Sequence, residues 1–379
     1  MSDAGPETYR VLHIAQKLPG GVGAYLSEVL AFQREVLGPR RVSAVIPAEE
    51  RFVLPYLPDS SFHLFEDAQR SPRALLHFAA HARNAIMHDR PDIVHLHSSF
   101  AGMLRPVIAR MLDDVRPAVV YCAHGWAFNI HWSNRRRDLI AAVEHHMSTM
   151  TDRTLCISQF EYDSAVDRGL PQGNMMVLHN GVTERVFPGC AASVPMPRDR
   201  INLLFIGRMD RQKGFDVAEK AMAILTDQPV HLHVIGATVV DDRQESQRLP
   251  NITHYGWQQR DAIWSFIEAC DAVLVPSRWE GFGLAAIEAL RQGKPVLASN
   301  VDALPEVVRD GVTGILFPAE NSLALAAFIR VLDRARLAEM GQAGRADYLA
   351  RFTGERMNRA ILDCYRAVLY EKALASRAG

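Results

Sequence analysis

Short apolar runs rich in β-branched residues recur through the first half of the chain, at residues 9–14, 41–46, 93–97, 118–123, 154–157 and 176–179. Helix-length stretches such as 24–35 and 72–89 lie between several of them. Runs that read as nearly continuous hydrophobic segments, alternating with helical intervals, predict a mostly parallel sheet covered on both faces. The pattern resets after Asn180-Gly181-Val182, and residues 188–200, with three prolines and no periodicity, read as a linker. A second series follows at 202–206, 230–235, 252–255, 272–276, 295–298 and 314–317, again with helical intervals. Two doubly wound, Rossmann-like α/β domains facing each other across a cleft are the simplest architecture, with boundaries near 1–185 and 200–355. The last helical pattern, 356–375, follows the second sheet series, so the terminal segment 356–379 is free to pack back on the first domain.

Length supports this division, because 379 residues exceed the roughly 250–300 at which a single core stops growing. With 48% hydrophobic and 22% charged residues the composition is that of a soluble globular protein. Lysine and arginine number 42 against 43 acidic residues, so no global field favours nucleic acid or an anionic membrane, and any anion must be recognised locally. The polar N-terminus lacks a secretory pattern and no run of eighteen apolar residues occurs, which places the expectation in the cytoplasm, with peripheral contact at the inner membrane face left open. Five widely spaced cysteines (Cys122, Cys156, Cys190, Cys270, Cys364) form no C-x-x-C pair and read as reduced, mostly buried thiols.

Two loops carry the strongest chemical signal. In Pro276-Ser277-Arg278-Trp279-Glu280-Gly281-Phe282-Gly283-Leu284, an apolar strand ends in a polar, two-glycine turn and enters an amphipathic helix. That order sets the backbone N–H groups of Phe282, Gly283 and Leu284 at a helix N-terminus, where a phosphate or hydroxyl is bound without side-chain bulk. Glu280 precedes the helix and Glu288 lies in its second turn, so both carboxylates can face one ligand; an ordinary crossover with solvated glutamates has the same sequence. In Gly207-Arg208-Met209-Asp210-Arg211-Gln212-Lys213-Gly214, directly after a second apolar strand, Gly207 permits a sharp turn, and Arg208 and Lys213 project from the strand's carboxyl edge. A planar fork beside a mobile point charge suits a diphosphate, although a solvated basic loop reads alike.

Together, PSRWEGFGLAAIEAL, the following GKPVLAS and the earlier GRMDRQKGFD resemble the C-terminal donor site of family 4 glycosyltransferases of the GT-B fold. The resemblance extends from the N-terminal glycine loop to about residue 318. It implies an enzyme that transfers a hexose-type sugar from a nucleotide-diphosphate sugar, a UDP-sugar or GDP-mannose, with retention at the anomeric carbon. The acceptor it implies is a glycan or a polyprenyl-diphosphate-linked sugar, in polysaccharide or glycoconjugate biosynthesis. By the same resemblance Arg208 and Lys213 bind the donor diphosphate, Glu280 contacts the transferred sugar, Glu288 binds the ribose, and the amides of Phe282, Gly283 and Leu284 hold sugar and phosphate. No cofactor and no metal are expected, since no D-x-D cluster stands out and Asp241-Asp242 reads as a solvated loop.

The first half carries weaker echoes. Gly20 and Gly21, in Leu18-Pro19-Gly20-Gly21-Val22-Gly23, stand between a strand and a helix and would approach the donor phosphates and the acceptor; a simple tight turn needs the same glycines. The loop is not G-x-G-x-x-G, so no dinucleotide site is read. His124, before Gly125 at a strand end, matches the family histidine that contacts the donor sugar. His95 and His97 alternate on one strand and share a face, as do His231 and His233; the latter pair is assigned to packing and His97 to the acceptor side. Trp126, Phe128, Trp132 and Arg135-Arg136-Arg137 read either as an aromatic and basic lip for a lipid-linked acceptor or as a solvated helix start with partly buried aromatics. Two rivals remain at this point: an epimerase of the same fold, and a noncatalytic sugar-nucleotide sensor. Base, sugar, acceptor and oligomeric state are not readable from these residues.

Overall fold

The computed structural model describes residues 9–66, 71–112, 116–130, 132–184, 194, 196–237, 249–258 and 260–378. Asp241, Asp242, Cys190 and most of the 188–200 linker lie outside the described residues. The chain divides into two compact units, 1–181 together with 354–379, and 182–353.

The first unit holds a seven-stranded sheet: β1 (Val11–Ala15), β2 (Val42–Pro47), β3 (Phe62–Phe65), β4 (Ile93–His97), β5 (Ala118–Cys122), β6 (Arg153–Cys156) and β7 (Met175–Val177). The spatial order is β3-β2-β1-β4-β5-β6-β7 and every pairing is parallel. Every residue of β1, β4 and β5 is buried, the double-sided coverage that their apolar runs predict. The edge strand β3 was not anticipated. Its sequence, FHLF, is short, follows two prolines, and buries only Phe65 fully. The final helix, Gly354–Ala378, belongs to this unit, and its Tyr365 is completely buried against the sheet.

The second unit holds a six-stranded parallel sheet: β8 (Ile201–Ile206), β9 (Val230–Ile235), β10 (Ile252–His254), β11 (Ala272–Val275), β12 (Val296–Ser299) and β13 (Gly314–Phe317). Their order is β10-β9-β8-β11-β12-β13. In both sheets the chain order reverses beside the first strand, between β1 and β4 and between β8 and β11. Such switch points open a crevice at the carboxyl ends of the strands, where ligands of open α/β sheets bind.

Four cysteines among the described residues (Cys122, Cys156, Cys270, Cys364) are free and buried, as read from the sequence. His231 bonds Thr253 at 2.8 Å and His233 bonds Tyr255 at 2.9 Å and Asn202 at 3.1 Å, so this pair ties β9 to its neighbours. No helix among the described residues is long and apolar enough to cross a membrane.

Strand β5, which leads into His124, is braced by a buried ionic cluster. Arg105, 1% exposed, donates to Glu144 Oε2 at 2.5 Å and to the Gly102 carbonyl at 2.8 Å, and its guanidinium lies 4.1 Å from the centre of the Tyr121 ring. The Tyr121 hydroxyl donates to Glu144 Oε1 at 3.2 Å. Removing one member strands a buried charge, which costs about 3–5 kcal/mol. Glu144→Ala is therefore expected to lower the urea midpoint of the first unit markedly, and Arg105→Met added to it should recover part of the loss. A midpoint for Glu144→Ala equal to the wild type would show that the cluster does not brace the strand.

Candidate active site

The loops after β8 and β11 flank the switch point of the second sheet, which brings residues 67 apart in sequence into contact. Lys213 Nζ donates to Glu280 Oε2 at 2.6 Å. Glu280 is further held by the Ser277 hydroxyl, donating to the same oxygen at 3.2 Å, and its own amide donates to Asp302 Oδ2 at 2.9 Å. The Glu280 side chain is only 12% exposed, so the carboxylate depends on these partners for solvation. The Lys213 amide donates to Asp210 Oδ1 at 3.0 Å, which closes the 207–214 loop on itself.

Arg208 reaches Asp210 at 3.0 Å and Gln212 Oε1 at 3.1 Å, and its side chain is 47% exposed. Arg278 joins the two loops: its amide donates to the Gln212 carbonyl at 2.8 Å, and its guanidinium takes both carboxylate oxygens of Asp216 at 2.7 and 2.8 Å. That bidentate pair holds the Asp216 carboxyl below its usual range. Gly214, at φ +65°, lies so close to β11 that an added Cβ would sit 2.0 Å from the Pro276 carbonyl oxygen. Any other residue would push the loops apart.

Gly283, at φ +96°, caps the helix Leu284–Arg291, and Ala286 and Ile287 return their amides to its carbonyl. The first amides of that helix point away from the ladder, as helix N-terminal amides do. The Phe282 side chain is buried, with its ring edge-on to Phe352 at 5.8 Å, so only its backbone can serve a ligand. Glu288 lies on the second turn and is half-buried. The structure thus places Gly207, Arg208, Lys213, Glu280, Gly283 and Leu284 in the loops at the carboxyl ends of the adjacent strands β8 and β11, with Glu288 one turn further along the helix. It adds Ser277, Asp302, Gln212, Arg278 and Asp216, which sequence reasoning did not assign. Arg278 and Ser277 stood inside the quoted motif; Asp302 carried no signal.

In the first unit, Gly20 at φ +93° precedes the helix Gly21–Leu37, and the Gly23 amide donates to the Leu18 carbonyl at 2.7 Å. The Leu18 amide in turn donates to Glu50 at 2.6 Å, and burial pushes the Glu50 carboxyl up. His124 occupies the left-handed region at φ +53° directly after β5. Its turn is pinned by Glu161, which accepts from the amides of Gly125 and of Ile157, the latter at 3.0 Å, and whose carbonyl accepts from the Trp126 indole at 2.9 Å.

Two assignments need correction. Trp126 is 2% exposed and stacks on Phe128 at 5.1 Å in the core of the unit, because the short turn Ala127–Asn129 folds both rings inward. It forms no acceptor lip; Trp132, covered by Arg136 at 3.7 Å, is the aromatic that stays partly exposed. His97 is fully buried between His13 and His124, so it presents no acceptor-side surface.

The chain matches the family model described as glycosyl transferases group 1 over residues 192–347 and that described as glycosyltransferase family 4 over residues 20–185. An uncharacterized 41.2 kDa protein in the cps region of Klebsiella pneumoniae is 30% identical over 82% of this chain and 87% of its own length. The D-inositol 3-phosphate glycosyltransferase of Mycolicibacterium gilvum is 30% identical over 74% of this chain and 67% of its own. Among solved structures, the sucrose-phosphate synthase of Thermosynechococcus elongatus superposes with a TM-score of 0.80 at 21% identity, covering 96% of this chain and 100% of that one. Anabaena HepE in complex with UDP and glucose does so with 0.74 at 19%, covering 95% and 100%. With both units accounted for and two parallel sheets on the page, the chain belongs to the family 4 glycosyltransferases and has the GT-B fold.

Proposed function

We propose that this glycosyltransferase is a retaining, metal-independent hexosyltransferase that uses a nucleotide-diphosphate sugar, with the diphosphate held by Arg208, Lys213 and the amides at Gly283 and Leu284. The observation that carries this reading is the convergence of two basic side chains and a helix N-terminus at the β8/β11 switch point. HepE, whose structures contain UDP and UDP-glucose, supports a UDP-sugar over GDP-mannose. The relative in a cps region supports a glycan or lipid-linked acceptor and a role in polysaccharide or glycoconjugate assembly. Such an enzyme would work in the cytoplasm without a cofactor.

Breaking the anomeric C–O bond leaves negative charge on the diphosphate and positive charge on the sugar ring. Arg208 and Lys213 stabilise the first, in place of a divalent ion. Glu280, fixed by Ser277 and Asp302, keeps Lys213 oriented and offers a carboxylate to the sugar. The acceptor hydroxyl attacks the face the phosphate leaves, and the departing phosphate oxygen takes the hydroxyl proton, so no second carboxylate is required.

Removing a group that stabilises developing charge costs about 10²–10³ in turnover, so Lys213→Ala and Arg208→Ala should each lose that much transfer from UDP-sugars; Arg208→Ala should keep the wild-type melting temperature, and Lys213→Ala should stay folded with a lower one, because it leaves the Glu280 carboxylate without its charged partner. Near-normal turnover in both variants would remove the phosphate-clamp assignment. Glu288→Ala should raise the Michaelis constant for the donor more than it lowers the turnover number, measured by initial rates; the reverse pattern argues against ribose binding. Donor incubated without acceptor should give at most slow hydrolysis, and an isomerised sugar would identify an epimerase instead.

A further inference from the structure

Behind His124 runs a row of buried side chains that the reaction as described does not use. Gln33, His13 and His97 are all 0% exposed. His13 Nε2 lies 2.9 Å from Gln33 Oε1, His13 Nδ1 lies 3.0 Å from His97 Nε2, and His97 Nδ1 lies 3.0 Å from His124 Nε2. The row follows from register. His13 on β1 pairs with His95 on β4, and His97 is two residues further along β4 on the same face. The rings are held in place by packing: His97 stacks on His124 at 5.3 Å, and Tyr25 meets the His124 ring edge-on at 4.7 Å.

We infer that Gln33, His13 and His97 are positioning residues that fix His124 as a neutral imidazole protonated on Nε2, leaving its Nδ1 as a hydrogen-bond acceptor for a sugar hydroxyl. The assignment follows from one atom. An amide oxygen only accepts, so His13 Nε2 must carry the proton. A neutral His13 then has a bare Nδ1, which accepts from His97 Nε2–H. The bare Nδ1 of His97 accepts in turn from His124 Nε2–H. A second proton on an inner ring would either set two N–H groups face to face or force every ring beyond it into the other tautomer, and it would place a charge in rings that are 0% exposed. Burial acts in the same direction, lowering His13 to about 4, His124 to about 3 and His97 well below its ordinary value.

The polarity is set by the orientation of the Gln33 amide, whose oxygen faces His13 and whose Nε2 donates to the Tyr365 hydroxyl at 3.4 Å. That hydroxyl lies 2.6 Å from His95 Nδ1 and donates to it when His95 carries its proton on Nε2, an atom with no partner among the described residues. Turning the amide over would reverse every bond and place a donor on the far nitrogen of His124. His124 is partly exposed, and its Nδ1 has no hydrogen-bond partner among the described residues.

One nitrogen each of His13, His95 and His97 also converge within 4.8 Å, as in a three-histidine metal site. The 3.0 Å between His13 Nδ1 and His97 Nε2 is shorter than the roughly 3.3 Å two nitrogens span on a tetrahedral ion with bonds of about 2.05 Å. Their hydrogen bond also uses the lone pair an ion would need, so the row reads as a tautomer relay.

The sugar-hydroxyl role rests on the function proposed above; the tautomer does not, and the test separates them. The full chain labelled with ¹⁵N-histidine, with His124 assigned by its absence in His124→Gln, should show His13, His97 and His124 protonated on Nε2 at neutral pH in long-range ¹H–¹⁵N spectra. In Gln33→Leu and in His13→Leu, His124 should become a mixture of tautomers. Turnover should fall about tenfold, the loss of roughly one oriented hydrogen bond, while the donor Michaelis constant stays within about twofold. A wild-type His124 protonated on Nδ1 overturns the inference, as does either variant keeping both tautomer and turnover. Should both variants fail to fold, the wild-type spectrum alone decides. Failure of the diphosphate assignment would leave that spectrum unchanged.

Discussion

A parallel sheet covered on both faces has nowhere to show chemistry except at its ends, and this constraint organises both units. Every residue of β1, β4, β5, β11 and β12 is buried. Polar groups on those strands must either find partners inside or sit at the carboxyl edge, where loops meet water. Both outcomes occur. Lys213 and Glu280 belong to edge loops on either side of the β8/β11 reversal, whereas His13, His95 and His97 are inside, where His13 bonds His97 and Gln33, and His95 bonds Tyr365 through Nδ1 while its Nε2 has no partner among the described residues.

The ways these groups are satisfied differ because the cost of burying charge is steep. Moving an ion fully out of water costs several kcal/mol even after relaxation. Lys213 and Glu280 keep 25% and 12% of their side-chain surface and pair with each other at 2.6 Å. The inner histidines keep none, and burial lowers their pKa below the ordinary imidazole value. A charged edge and an interior that keeps charge only as a tight pair, Arg105 with Glu144, are thus two consequences of one burial gradient.

How far the sequence reveals this depends on which interaction carries each feature. Strands buried on both faces are legible because most positions must be apolar, the exceptions in β4 and β9 being histidines with hydrogen-bond partners, and β4, β9 and β13 are read with their observed bounds. The edge strand β3 is not, since one partner and partial exposure relax that demand. The basic loop and the glycine turn are legible as loops; that Lys213 bonds Glu280 is not, because only the adjacency of β8 and β11 brings them together. Alternation shows that His95 and His97 share a face but not which face, and so His97 was given to the surface when it belongs to the core. Trp126, read as an acceptor-side residue, is buried for a related reason: a single short turn after β5 decides whether Trp126 and Phe128 point out or in, and its geometry leaves no periodic trace.

The Lys213–Glu280 pair bears on how an anion could be received. A lysine that has already found a carboxylate would be a poor phosphate ligand if an incoming anion had to displace a neighbour fixed by Ser277 and by its own amide bond to Asp302. The ammonium, however, carries three N–H donors, and Glu280 accepts at one distance, 2.6 Å, through one oxygen. The other two donors remain for a ligand, and the carboxylate then works as a tether that removes the rotamer freedom a mobile lysine would otherwise lose on binding. Arg208, at the mouth of the same loop, is held in the same way by Asp210 and Gln212 but keeps 47% of its side-chain surface in water, so its partners are weaker competitors for an arriving anion. Two cations held by carboxylates at different depths are oriented in advance, which lowers the ordering cost of receiving an anion there.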